Sequence, residues 1–452
     1  MRPSSSPSDG LLSGLSGNPE VDAELDDPAL LRALLDAEAA LARAGADAGL
    51  VPAPAADAIV TACHPGRYDP AALGRAADAA GNPVVPLVRE LTAAVPAPAR
   101  PWVHLGATSQ DILDTALSLL AVRALDALRR HLDTAVDAAV RLADTHRHTV
   151  LVARTLGQQA APTTFGLKAA GWLTGLAQAR DRLRQAGDGQ PAQLGGAVGT
   201  LAALGPAGPD VAARYAAHLG LPASALPWHT RRQPRLDLAA ALGGLLAATG
   251  KVALDVGLLA QTEVGEVTEG GGGRGGSSAM PHKRNPVDAI LIGAAARRGP
   301  GLVATLFAAA VQEHERAAGG WHAEWEPLRD LLHLAGGVTA RSARLLTGLR
   351  VDPARMRANL DATGGRVLAE AVAARLAPAV GRDVAHDLVA RAAAAPAFRA
   401  ALLADPQIRA HLSGAEIDEA LDPHRWLGSA GRFVDAARAA ARQAGTWPPG
   451  CP

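Results

Sequence analysis

Residues 270–286, GGGGRGGSSAMPHKRNP, break an alanine- and leucine-rich chain with a glycine run, the serines 277 and 278, a cation at Lys283 and a primary amide at Asn285. Gly271-x-Gly273-x-x-Gly276 formally matches a dinucleotide fingerprint. That fingerprint follows a strand and opens a helix, whereas a long helical pattern precedes this one. A phosphate-cradling loop would need Gly-Lys-Ser/Thr, which does not follow. A plain linker accounts for the glycines and leaves SSAMPHKRNP unexplained. A mobile loop carrying a serine, followed by a lysine and an asparagine, suits a gated site that opens for substrate and closes to expel water.

Two further stretches invite a similar reading. HLGATSQDILDTA, from His104, places Thr108-x-x-Asp111 as a capping box ahead of a long helical pattern. The free N–H groups and hydroxyls of such a helix start also form a ready anion site. ARTLGQQAAPTTFGLK, from Ala153, reads as a loop into a helix, with Pro162 at the first turn and Thr163 near the cap.

These segments must be held by helices. Aromatic residues make up 3% of the chain, and β-branched runs bounded by turns are scarce, so strands have little support. Ile112, Ala116, Leu119, Leu125, Leu128, Leu132, Val136 and Val140 keep helical spacing over about 30 residues. Comparable patterns run over about 163–186, 236–269 and 321–349, so four or five long helices form an elongated central bundle. Before about residue 100 and after about 350 the patterns shorten and prolines punctuate them, which marks smaller helical domains at each end. Trp321 and Trp325, four apart on a helical pattern, read as core or interface residues.

The chain has 452 residues, with 44 Lys and Arg against 44 Asp and Glu, so nothing in its charge favours a polyanion partner. Cys63 and Cys451 are the only cysteines. They form neither a disulfide framework nor a metal-ligand spacing and fit a reducing compartment. The first 17 residues lack the apolar core of a signal peptide and read as a disordered lead. Asp237, Lys251 and Asp255 interrupt the longest apolar segments before the roughly 18 residues a membrane span needs.

GSSAMPHKRNP closely resembles the signature of the fumarase/aspartase superfamily, G-S-S-x-M-P-x-K-x-N-P, with every fixed position present. The resemblance implies that Ser277 is the base that removes a proton from a carbon beside a carboxylate, and that Lys283 and Asn285 bind that carboxylate. The chemistry agrees. A second negative charge develops on the carboxylate during proton removal, and a fixed cation with an amide donor stabilises it most at that moment. The same resemblance gives substrate-carboxylate contacts to Thr108 and Ser109 and a substrate contact to Gln159. It makes His104 a catalytic histidine facing the active site, and Arg316 an anion ligand. It also implies an all-α fold of three helical domains, 18–100, 101–350 and 351–452, after the lead at 1–17. The long central bundle would form a homotetramer whose sites are each built from three subunits. A small di- or tricarboxylate substrate, no cofactor or metal, no nucleic acid or membrane partner and a cytoplasmic setting complete the expectation.

One departure narrows the chemistry. Elimination enzymes of this superfamily read Arg-Thr-His where this chain has Arg154-Thr155-Leu156, and they carry a supporting acid where this chain has Ile290. Amines and hydroxide need a proton to leave near neutral pH. A carboxylate, whose conjugate acid has a pKa of about 4, does not. Segments at 81–88, 106–116, 154–168 and 314–325 further resemble the branch that closes a carboxymuconate to a lactone through its own carboxylate. Two alternatives stay open: an elimination lyase, adenylosuccinate lyase-like or releasing a weakly basic anion such as nitrite, and a non-catalytic structural protein like the lens crystallins of the superfamily.

Overall fold

The computed structural model describes residues 11–270 and 274–443. Gly271 and Gly273 of the formal dinucleotide match, Cys451, and the first ten residues of the expected lead lie outside the described residues. The rest of that lead packs onto the bundle: Leu15 O accepts from Arg341, and Ser16 Oγ is 3.0 Å from His333 Nε2.

The frame is helical. Helix α1 is Asp27–Asp47, α2 Ser109–Thr145, α3 Phe165–Asp188, α4 Gln233–Leu259, α5 Val287–Ala309, α6 Trp325–Gly348 and α7 Ala430–Gln443. In α2, residues 110–121 are buried all round, and the polar side chains among them, Gln110, Asp111, Asp114, Thr115 and Ser118, are buried with the apolar ones. Farther along, only a stripe through Leu128, Leu132, Val136 and Ala139 stays inside. α2 packs on α1, α3 and α6, and α4 lies against α3, α5 and α6. A single apolar core runs from Val21 to Leu349 and takes in Val434 and Ala441 of α7. A second core, including Val372, Leu376, Phe398, Leu402 and Ile417, belongs to the C-terminal helices.

The structure differs from the sequence expectation in three places. The stretch expected as a loop is a hairpin, β1 Val150–Thr155 with β2 Gln158–Thr164. Its turn residues Leu156 and Gly157 both have positive φ, 49° and 79°, the geometry of a tight two-residue hairpin turn. Pro162 therefore sits in β2, and α3 starts later than expected, with Thr164 Oγ1 accepting from Leu167 N at 3.1 Å. The pattern expected to run to 269 stops at Leu259. Gly265 N bonds Gln261 O and Glu266 N bonds Leu259 O, which turns the chain into β3 Val267–Thr268, paired with β4 Arg350–Val351. Lastly, α4 and α5 are each apolar and long enough to cross a membrane by length and composition, despite Lys251 and Asp255. α4 is half buried in the bundle over its most apolar window, whereas α5 is buried over 22% of its own.

Candidate active site

The start of α2 gathers the first group. Asp111 is completely buried and accepts four hydrogen bonds: from Thr108 N (3.0 Å), Gly195 N (3.0 Å), Gly196 N (2.9 Å) and His229 Nε2 (2.6 Å). The Thr108 bond is the acidic half of the expected capping box. The other three reach across the fold, so one carboxylate fixes both the helix start bearing Thr108 and Ser109 and the glycine loop at 195–196. His104 stands four residues before Thr108 in the left-handed region, φ 58°. Its Nδ1 lies 2.6 Å from Oε1 of the buried Glu38 on α1. Burial works against charge on this imidazole, yet the carboxylates of Glu38 and Asp111 raise its pKa above the usual value.

Arg316, expected as an anion ligand, joins this group through the start of α2. Its Nη1 donates to Gln110 Oε1 (2.9 Å) and its Nη2 to Ala197 O (2.7 Å). These contacts tie its guanidinium to α2 and the glycine loop, so in the single chain it serves as a brace. Behind it Arg232, fully buried, bridges Asp114 and Glu324. Trp321 is buried, as expected, and its Nε1 donates to Asp114 Oδ1 at 3.1 Å.

The hairpin carries the second group. Gln159 is exposed on β2 opposite Arg154. Arg154 grips the buried Glu266 with two bonds of 3.0 and 2.7 Å, and Asn359 Nδ2 donates to the same carboxylate at 2.8 Å. Arg154 therefore anchors the hairpin. Leu156 at its tip is fully exposed, in a backbone conformation that an ordinary side chain resists.

The signature loop is the third group. Ser277 Oγ accepts from Met280 N at 3.1 Å and from Ala279 N at 3.4 Å. Two N–H dipoles aimed at one hydroxyl oxygen stabilise negative charge on it, which is what a serine base requires. Gly275 O accepts from both the backbone N (2.8 Å) and Nδ2 (3.2 Å) of Asn285. Gly275 has φ 75°, and a Cβ there would lie 2.3 Å from Asn285 O, so the loop closes only with glycine at this place. Lys283 is exposed. The base of the loop is locked by Asp288, which faces Arg274, Arg341 and Arg344, and by Glu269, which accepts from Asp288 N and Ala289 N. Ile290, in the first turn of α5, is 55% exposed.

The described residues show no hydrogen bond or ion pair linking any two of these groups. His104, Thr108, Ser109 and Arg316 come together; Gln159 stands apart from them, and so do Ser277, Lys283 and Asn285. Nor do the described residues gather three or more His, Cys, Asp or Glu as a metal site. Sequence reasoning missed Glu38, Glu266, Asn359 and the loop at 195–196. Only the last left a signal, the run GGAVGT.

Comparison with known proteins assigns the fold to a family. The family described as Lyase matches residues 19–301, and the one described as Adenylosuccinate lyase C-terminus matches residues 365–437. The chain is 50% identical to a nitrosuccinate lyase of Streptomyces davaonensis, covering 95% of this chain and 94% of that one. It is 47% identical to a 3-carboxy-cis,cis-muconate cycloisomerase of Bradyrhizobium diazoefficiens, covering 94% and 96%. The crystal structure of the 3-carboxy-cis,cis-muconate lactonizing enzyme from Pseudomonas putida superposes with a TM-score of 0.90 at 44% identity, covering 96% of this chain and 99% of that one. With its helical bundle, its SSAMPHKRNP loop and these relatives, the chain belongs to the lyase family of fumarase, aspartase and adenylosuccinate lyase.

Proposed function

We propose that this enzyme is a cycloisomerase that converts 3-carboxy-cis,cis-muconate to 4-carboxymuconolactone, a step of the protocatechuate branch of the β-ketoadipate pathway. The observation that carries the reading is Leu156, an apolar side chain fully exposed at the hairpin tip, where the resemblance to enzymes that eliminate amines or hydroxide would call for a histidine. Ile290 supports it. With no acid there, the oxygen that joins or leaves carbon must manage without a proton, and a carboxylate oxygen does.

In the forward direction a substrate carboxylate oxygen adds to the conjugated double bond. The π electrons move to the carbon beside a second carboxylate, and the Ser277 hydroxyl supplies that carbon with a proton. The reverse reaction runs the same steps backward, with Ser277 as base. Lys283 and Asn285 hold the carboxylate on which charge develops, and Thr108 and Ser109 hold another at the start of α2. A proton taken up from solvent restores the Ser277 hydroxyl, so the tricarboxylate becomes a dicarboxylate lactone and atoms and charge balance without a cofactor.

The site is completed by other copies of the chain. Leu156 is one support. Another is the groove between α4 and α5, where Leu254, Leu258 and Ile290 are about half exposed among Ala247, Gly250 and Gly293. An apolar face of this kind calls for a cover, and a homotetramer through these helices provides one while carrying the hairpin and the signature loop to neighbouring subunits. The free thiol Cys63 accords with a cytoplasmic setting. In sedimentation the chain is expected to run as a tetramer. Mixing Ser277→Ala subunits with subunits damaged at both Thr108 and Ser109 should restore part of the activity, because some mixed sites draw every segment from an intact copy. Subunit exchange without any recovery contradicts a shared site.

A second reading rests on the relative named nitrosuccinate lyase. Nitrite, like a carboxylate, departs unprotonated, so elimination of nitrite from a nitro-dicarboxylate passes the same chemical test. A substrate panel checks both readings against amine elimination. Wild type should form lactone from 3-carboxy-cis,cis-muconate and show only trace turnover of adenylosuccinate, argininosuccinate, aspartate or malate. Leu156→His should not add an amine-lyase activity, since Ile290 still offers no carboxylate to charge the imidazole. Efficient release of ammonia or a nucleotide by the wild type would overturn the cycloisomerase reading.

A further inference from the structure

Glu38 lies on α1 between Ala37 and Ala39, 1% exposed, with Oε1 on His104 Nδ1. Its Oε2 is buried and has no hydrogen-bond partner among the described residues. A buried carboxylate with half its acceptor capacity unused weakens a fold, so packing does not account for it. His104, for its part, is held in a left-handed conformation, which persists at a non-glycine residue only where the surroundings enforce it. Its side chain is 17% exposed, and Nδ1 makes the only hydrogen bond of the ring among the described residues. One nitrogen is thus fastened to a carboxylate, and the other is left open on the segment that leads into Thr108 and Ser109.

The charged groups around this pair favour a cation. Glu38 faces His104 from α1, and Asp111 acts on it from the first turn of α2. Asp111 is itself engaged by His229 and by backbone N–H groups. Cys63 and Tyr215 lie close enough to feel Glu38, and burial pushes both of them up, so they stay neutral. No cationic side chain contacts the pair among the described residues.

We propose that Glu38 is a positioning residue: it fixes Nδ1 as donor and keeps His104 cationic, so that Nε2–H serves as a charged donor to the substrate oxygen that adds to or departs from carbon. This inference rests on the reaction proposed above. It fills the place that Leu156 and Ile290 leave vacant, without a proton transfer: the oxygen is neutral in the lactone and gains charge as the carbon–oxygen bond opens, and a fixed cation stabilises it increasingly along that path. The effect belongs to kcat/KM in both directions.

Glu38→Gln tests it, because the amide keeps the shape and an acceptor and loses the charge. Hydrogen–deuterium exchange at the histidine C2 position, read by mass spectrometry on the full-length, substrate-free protein, follows the titration of His104 alone. Its midpoint is expected to fall by about one pH unit or more. Glu38 lets His104 stay charged to higher pH, so the alkaline limb of kcat/KM against pH should move to lower pH in Glu38→Gln. Well below that limb the variant should keep activity within about threefold of wild type. Glu38→Asp, which keeps the charge at a longer reach, should fall between the two, and it supplies the same comparison if the glutamine variant does not fold. An unchanged His104 midpoint, or a loss of activity equal at every pH, overturns the proposal. The exchange measurement needs no substrate, so it stands or falls separately from the reaction, and the pH limb can be read on whichever substrate turns over.

Discussion

Replacing Ser277 with alanine is expected to lower the catalytic rate by at least roughly a thousandfold while the helical content and the assembly survive. The two halves of that expectation have separate grounds. Ser277 sits on a loop outside the apolar core, and among the described residues its hydroxyl accepts from Met280 N and Ala279 N, two groups of exposed residues that water can satisfy. Removing the oxygen therefore leaves the packing untouched. The proposed reaction, in contrast, loses the atom that would carry the proton to or from carbon, and among the described residues no pair of N–H groups donates to the next hydroxyl, Ser278. Circular dichroism and sedimentation should match the wild type, and a steady-state assay should fall close to background. Near-normal turnover would remove Ser277 from the mechanism.

The largest effect on stability is expected at Asp114. Its Oδ2 and Oδ1 lie 2.7 and 2.9 Å from Arg232 Nη1 and Nη2, Trp321 Nε1 donates to Oδ1, and Gln110 Nε2 donates to Oδ2 at 3.2 Å. Both members of the pair are fully buried. Burial alone would raise the Asp114 pKa, but Arg232 outweighs it and holds the carboxyl below its usual value. Asp114→Ala leaves the Arg232 charge short of a partner inside the protein, an error that costs about 3–5 kcal/mol. The melting temperature should fall by roughly 3–5 °C for a chain of this length. Adding Arg232→Met and Glu324→Gln to Asp114→Ala should recover part of the loss, because no charged group of the cluster is then left buried without its partner. A single variant as stable as wild type would mean that the Glu324 contact is enough by itself.

How far the sequence revealed the molecule depended on the range of the interactions. The N-terminus of α2 was legible because its cap is local, with Thr108 and Asp111 three residues apart. The loop bearing Ser277, Lys283 and Asn285 was legible because its composition departs from everything around it. The hairpin was not. Its strands are short, only Val150 to Val152 form an apolar, β-rich run, and the residue at its turn is a leucine, where such turns usually hold asparagine or glycine. Glu38 was invisible for another reason: it stands 66 residues from His104 and looks like any charged residue on a helix until the fold buries it. Arg316 was legible as a basic residue in a family-like segment, but its ties to Gln110 and to the carbonyl of Ala197 are set by the fold, and no local pattern could announce them.

Only a few atoms separate lactone closure from nitrite release, and neither needs an acid at position 156. The decisive measurement is the ratio of kcat/KM for the two reactions on the purified wild-type protein. Lactone formation can be followed by the loss of the muconate ultraviolet absorbance, and nitrite release by product chromatography. Lactone formation is expected at about 10⁴ M⁻¹s⁻¹ or above, the ordinary range for an enzyme on its own substrate. Nitrite release from a nitro-dicarboxylate is expected to be at least roughly a hundredfold slower. Efficient nitrite release with little or no lactone would contradict the cycloisomerase assignment and move the enzyme to the eliminating lyases.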